Sequence, residues 1–396
     1  MPLLRMPTLI YKDGSPWTLT MTGHIEAENV IYHDYQSDKL DLVITLDLPS
    51  ALSVKPITLK TDDGDVYGEI ALTFGGVPQC TFMVDGEEGH LDPKRLLTTI
   101  NKDFAQYLKD VDFGENTRLS FEGELFLGGD PRISVRGRLA SSAVTWKLPQ
   151  TEVIEKAASK LHELKLADME STWSYSSNGL AWNVTKSSFM DSSLRSSGVY
   201  EPESNRGEFL VLFDDLPYKN LEALTKKNDD KKAEESIVPG VVNGVFHGRF
   251  LAGWAGRPLH MEGGGHVAIR QGDLWNVPLL AQLIEVLPGG NSSRSTLGRI
   301  SQLDADVEFL GNRLAINDVY TDGTIMSLRA KGEYYFEDQR LKIAVNGVPL
   351  QEVGILSLAL RPLTWAFQAE RDGTLDKWDD SKWRLKSGLL QLLNLN

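Results

Sequence analysis

Alternation of apolar and polar residues, recurring along most of the chain, constrains this sequence more than any other feature. It is densest between Met261 and Val345. Met261, Gly263, Gly265, Val267 and Ile269 share one phase, and Leu303, Ala305, Val307 and Phe309 alternate with Asp304, Asp306 and Glu308. Leu314 and Ile316 follow, then Met326, Leu328, Ala330, Gly332, Tyr334 and Phe336, and last Leu341, Ile343 and Val345. Successive side chains of a strand point to opposite faces, so this period predicts strands with one buried and one wet face. The first half reads the same way. Trp17, Leu19, Met21, Gly23, Ile25 and Ala27 form one set, and Leu40, Leu42, Ile44, Leu46 and Leu48 another that Pro49 ends. Runs at 66–74, 79–84, 119–127 and 133–139 continue it, as do those at 169–175, 180–184, 194–200 and 209–213.

A short signature recurs within these runs: apolar, polar, Gly, polar, apolar. It is centred on Gly23, Gly68, Gly123, Gly137, Gly248 and Gly332, each in phase with the apolar face. A glycine inside a strand marks a bend, a bulge or a close approach of another group. Six in one phase fit a long sheet that coils towards its apolar side, and they also fit a β-sandwich with kinked strands.

Three helices interrupt the pattern. Asp92-Pro93 suits a helix start, and Leu96, Leu97, Ile100, Phe104, Tyr107 and Leu108 give an apolar stripe over about 93–110. Ile154, Ala157, Leu161 and Leu164 give a second helix, Glu152 to Leu164. Val277, Leu280, Leu283, Ile284 and Leu287 give a third, which reads as a plug or lid. The expected organisation is a β-rich segment over 1–150, a connecting helix over 151–166 and a second β-rich region over 167–396. The expected class is mainly β with a few helices (α+β).

The net charge of −14 argues against nucleic acid as a partner, and against charge-driven adhesion to an anionic membrane. Contact with lipid tails is an apolar matter that this charge leaves open. Cys80 is the single cysteine, which excludes an intrachain disulfide and a cysteine-rich metal site. Its phase beside Phe82 and Val84 reads as a small core residue. Met1 to Ile10 lack the layout of a signal peptide, and no stretch reaches the ~18 apolar residues of a membrane span. The expectation is a soluble chain, or one cut from a longer protein.

No G-x-S-x-G, H-E-x-x-H, Walker A or strand-to-helix G-x-G-x-x-G motif occurs. The seven histidines are scattered, and none pairs at i, i+4 to hold a metal. The expectation is no enzyme, no cofactor and no metal.

From Met169 onward the order of pieces resembles the C-terminal region of AsmA-like proteins, including TamB-type members. The features are Gly263-Gly264-Gly265, then Asp273 to Leu280 opening a helix, then Leu303 to Phe309 and Asn312 to Ile316. The Ala330-Lys331-Gly332 and Leu341-Lys342-Ile343 strands follow, and the chain closes on Gly373-Thr374-Leu375 and Lys382-Trp383-Arg384-Leu385. The family usually has a proline before that Lys-Trp element, where this chain has Asp380-Ser381. The resemblance implies a long, curved, antiparallel-rich β-sheet forming a hydrophobic groove, with helices capping or plugging it. It implies a periplasmic, inner-membrane-associated protein, whose N-terminal anchor is not present in this sequence. The implied role is moving phospholipid, or another acyl-chain lipid, between the bacterial inner and outer membranes, with possible envelope protein partners.

Under that reading the groove candidates are Ile44, Leu46, Ile70, Leu72, Val307, Phe309, Leu328 and Tyr334, all on the apolar phase. The alternatives are a scaffold for outer-membrane assembly, which needs only a free strand edge or face, and a carbohydrate-binding β-sandwich with exposed tryptophans.

Overall fold

The structure is a computed structural model. It describes residues 19–32, 35–61, 64–86, 93–94, 109–128, 132–147, 163–218, 220, 240–251, 260–270, 300–323, 326–336, 338–349, 368–374 and 381–386. They are almost entirely strand, and the strand pairs are antiparallel. The chain divides into two compact units: Met1–Lys147, Glu163–Ser188 and Arg195–Pro202 form unit 1, and Leu148–His162, Phe189–Leu194 and Glu203–Asn396 form unit 2.

Unit 1 contains β1 (Leu19–Tyr32), β2 (Tyr35–Leu48), β3 (Ala51–Thr61), β4 (Gly64–Thr73) and β5 (Gln79–Asp85). These are followed by β6 (Val111–Phe113), β7 (Thr117–Phe126), β8 (Arg132–Lys147), β9 (Glu163–Ser176), β10 (Gly179–Phe189) and most of β11 (Ser192–Glu201). From β1 to β5 each strand pairs with the next. β5 then pairs with β7, β7 with β8, β8 with β9 and β9 with β10, while the short β6 lies beside the far end of β8. Unit 2 contains β12 (Arg206–Pro217), β13 (Val241–Leu251), β14 (His260–Arg270), β15 (Ile300–Gly311) and β16 (Arg313–Gly323). It continues with β17 (Met326–Tyr335), β18 (Arg340–Pro349), β19 (Gln368–Thr374) and β20 (Arg384–Lys386), each paired with the strand before it.

Period two within strands becomes continuous apolar rows across them because the register keeps the phase. In unit 1 one row runs Gly23, Ile44, Val54, Ile70, Phe82, Gly123, Val135, Tyr175, Leu180. The row beside it runs Ile25, Leu42, Ile57, Gly68, Val84, Phe121, Gly137, Trp173, Trp182. The opposite face carries cross-strand ion pairs such as Arg136–Glu122 at 2.6 Å and Lys39–Glu26 at 3.2 Å. Unit 2 repeats the scheme. Phe209, Gly248, Gly263, Phe309, Leu314, Tyr334 and Leu341 form one row, and Arg249–Glu208 and Arg313–Glu333 pair on the other side.

The phase slips in several strands, β10 and β12 among them, and most plainly in β3 and β16. In β3, Leu52 and Val54 share a face with Ile57 and Leu59; the β2–β3 register shifts between these pairs, so Lys55-Pro56 supply an odd step. In β16, Leu314 and Ile316 continue as Val319 and Thr321 after a shift at Asn317-Asp318. Each slip is a bulge, which re-aims the strand while keeping apolar side chains on the apolar face.

The signature glycines mostly answer to close approach. Gly137 lies directly across from Trp173, whose ring occupies the hollow a Cβ would fill, and Gly123 lies likewise across from Phe82. Gly23 is different, with nothing within 4 Å of an added Cβ.

The expected helices form no part of this picture. Of the helix expected at 93–110, Pro93 and Lys94 are helical and Lys109 and Asp110 form a turn, the rest lying outside the described residues, as does Trp275 to Leu287. Of the helix expected over 152–164 and the connecting segment to 166, residues 163–166 are instead the start of β9. They pair with β8, where Leu164 meets Trp146 and Leu166 meets Val144.

Candidate functional site

The apolar face of each unit is the candidate site. In unit 1, Ile44 and Ile70 stand in one cross-strand row and Leu46 and Leu72 in the next, between Met21 and Cys80. Of the eight predicted groove residues, four lie in unit 1 and four in unit 2. Ile44, Leu46 and Leu72 are half-buried, and Ile70 is exposed. Phe82, Phe121 and Trp173 make a chain of ring contacts along this face, with centroids 6.3 Å apart at each step.

In unit 2, Val307 and Phe309 belong to a bed of phenylalanines built by β12, β13 and β15. Phe213 stacks on Phe246 at 5.9 Å, Phe246 meets Phe309 at 6.4 Å, and Phe209 meets both Phe250 and Phe309 at 6.3 Å. The rings fit because glycines lie under them: a Cβ at Gly244 would run into the Phe213 ring, and one at Gly265 into Phe246. All five phenylalanines are half-buried. Tyr334 sits further along the same face, stacked edge-on to Phe336 at 5.7 Å. Burial pushes its phenol above the usual range, and the Asp338 carboxylate adds to the shift. Leu328 departs from the others. It is 2% exposed and its N–H donates to Thr321 Oγ1 at 2.9 Å, so it is core rather than open lining. Val345 and Ala369 are buried as deeply. Arg371 also falls in an apolar row, opposite Ile343. It is buried, donates to Ser381 Oγ at 2.8 Å and lies over the Trp383 ring at 5.9 Å.

Two shallow concavities lie in unit 1, of about 750 Å³ and 520 Å³. The larger is lined by two polar-phase rows, Met83-Glu122-Arg136-Ser174-Ala181 and Asp85-Ser120-Arg138-Thr172-Asn183, flanking one apolar-phase row between them. That is the layout of a furrow between side-chain rows on the polar face. Of the groove candidates, only Ile70 contributes, and to the smaller concavity.

The structure also brings together His24, Glu26 and Asp41, whose donor atoms lie within 4.8 Å of one another. The sequence reading passed over this trio because Asp41 comes from β2, opposite Glu26. His24 Nε2 is 2.7 Å from Asp41, and Lys39 pairs with Glu26, so the donors are engaged with one another on an exposed face. Burial pushes the Cys80 thiol up, away from the reactive thiolate.

Among the described residues no helix is long and apolar enough to cross a membrane. No protein-family model matches the chain, and no curated protein and no solved structure matches it.

Proposed function

We propose that this chain is a non-enzymatic lipid-binding protein that shelters acyl chains on the apolar faces of its sheets. The observation that carries the reading is the continuity of apolar rows from strand to strand, floored by aromatic rings seated over glycines and only half-buried. An ordinary core buries such rings fully; a half-buried row of them is an apolar surface that gains from cover. Each acyl methylene taken from water onto such a face is worth about 0.8 kcal/mol. A chain moved along the row exchanges like contacts for like, so tight holding and easy sliding are compatible. The resemblance to AsmA-like proteins extends the proposal to transfer of phospholipid between the two membranes of a bacterial envelope.

Native mass spectrometry of the purified chain, followed by organic extraction, tests the reading. Bound phospholipid at near-stoichiometric amount is expected. A half-exposed position serves better than Leu328 as the disabling variant, so Phe309→Asp should lose bound lipid while keeping its far-UV circular dichroism. A lipid-free protein that takes up no fluorescent phospholipid from vesicles would overturn the proposal.

A further inference from the structure

A second apolar feature of unit 1 lies on its rim rather than on its face. The β2–β3, β4–β5 and β7–β8 turns all come at the same ends of their strands, and apolar side chains project there. Leu48 is 40% exposed, Phe74 43%, Val77 59% and Leu127 48%. Backbone bonds lace the turns together: Phe74 N–H donates to Ser50 O, and Leu127 N–H to Pro78 O, each at 2.8 Å. Val77 packs on Gly128, where a Cβ would come within 2.6 Å of its Cγ1. Gly76, at φ +73°, holds the left-handed conformation that turns the β4–β5 tip outward.

We infer that this rim inserts into the surface of a lipid bilayer. Three facts favour a bilayer over a protein partner. The side chains stand at separate hairpin tips, a geometry for penetration rather than for a flat interface. No residue from Ile70 to Val84 carries a charge, nor does any from Leu48 to Val54, so the β2–β3 and β4–β5 tips can leave water without stranding an ion, while the β7–β8 turn, with Asp130 and Arg132 in its sequence, offers only Leu127. The chain as a whole is strongly acidic at −14, so its attachment must be apolar rather than through anionic headgroups. The inference deepens the lipid reading, because apolar rows begin directly inside the rim, first the one through Leu46, Leu72 and Leu125 and then the one in which Ile70, Tyr175 and Leu180 are exposed. An acyl chain drawn from a bilayer would meet those rows in that order.

The test is flotation of the whole chain with phosphatidylcholine vesicles, with and without added phosphatidylglycerol, and across a range of salt. The expected result is co-flotation with phosphatidylcholine alone, which phosphatidylglycerol does not strengthen and salt does not abolish. The variant combining Phe74→Ser, Val77→Ser and Leu127→Ser should bind about tenfold or more weakly, with unchanged circular dichroism and unchanged co-purified lipid. If that variant fails to fold, Val77→Cys in a Cys80→Ser background, labelled with an environment-sensitive dye, replaces it; vesicles should shift its emission to the blue. Equal flotation of wild type and variant, no flotation by wild type, loss of binding in salt, or self-association through the tips without flotation would each overturn the inference. Flotation in a chain that carries no lipid would leave the rim standing and remove the acyl-sheltering face.

Discussion

Replacing Gly137 by alanine puts two general effects in opposition, and the structure decides the sign. An interior strand glycine normally costs about 0.5–1 kcal/mol relative to alanine, because it gives up more freedom on folding. Position 137 reverses this. The new Cβ would lie 2.6 Å from Cε2 and Cζ2 of Trp173 and 2.7 Å from the Ser120 carbonyl oxygen, so the indole must leave its seat or the strands must part. Overpacking of this kind costs about 1–3 kcal/mol. The net expectation is about 1–2 kcal/mol of destabilisation once the smaller entropic gain is subtracted. Gly23 is the internal control, with the same signature, the same face and open space around its Cβ. Gly23→Ala should stabilise by about 0.5–1 kcal/mol. Urea titration followed by circular dichroism gives the overall shift. Hydrogen exchange on peptides from β7–β9 and from β1–β2 localises it, since a chain of two units need not unfold in one step. Variants that move in the same direction, or a Gly137→Ala protein as protected in β7–β9 as the wild type, would refute the seating of Trp173 as the reason for that glycine.

Other outcomes follow from the same geometry. Leu328→Asp buries a carboxylate at a position 2% exposed, and should cost about 3 kcal/mol or more, read as a lost or broadened thermal transition. Asp372 is hydrogen-bonded by Arg340 at 2.7 and 2.6 Å, which holds its carboxyl below the usual carboxylate range. Its contribution should be fully present above about pH 4 and fall away as pH drops through the lowered value. Because both side chains are nearly half exposed, Asp372→Asn should cost no more than about 1 kcal/mol at neutral pH, and that gap should narrow in urea titrations as the pH is taken progressively below about 4. The Cys80 thiol, raised by burial, should react with a thiol reagent at pH 8 more slowly than a free cysteine; a faster rate would contradict its packing beside Leu72 and Leu125.

The strands that could be read from sequence are those whose phase never slips. Leu40 to Leu48 and Leu303 to Phe309 alternate without interruption, and both are strands on the expected face. β3 was hidden by Lys55-Pro56, where an odd step puts Val54 and Ile57 on one face and defeats a period-two template. The helix expected to reach Leu164 shows the converse. Ile154, Ala157, Leu161 and Leu164 match helical spacing, yet Leu164 and Leu166 are two apart and take the strand phase once β8 offers a partner. The ring-over-glycine seats were half legible. The glycines recur in plain view, but which aromatic covers each depends on register, which single-strand patterns do not encode. The rim was invisible for the same reason. Leu48, Phe74, Val77 and Leu127 are far apart in the chain, and only the aligned strand ends bring them to one border.

From β13 to β20 each strand pairs with the one before it in the chain, and from β1 to β10 the pairing follows chain order except where β6 steps aside. A sheet wired this way can be lengthened or shortened by a whole hairpin without disturbing the pairing of any other strand. Direction is restored after every second strand, so an inserted pair returns the chain to its original heading with its apolar phase intact. Length thus becomes a quantity that can change in steps of two strands, independently of the chemistry of the face. The same wiring lets assembly proceed in chain order, since most new strands find their template in the strand just before them.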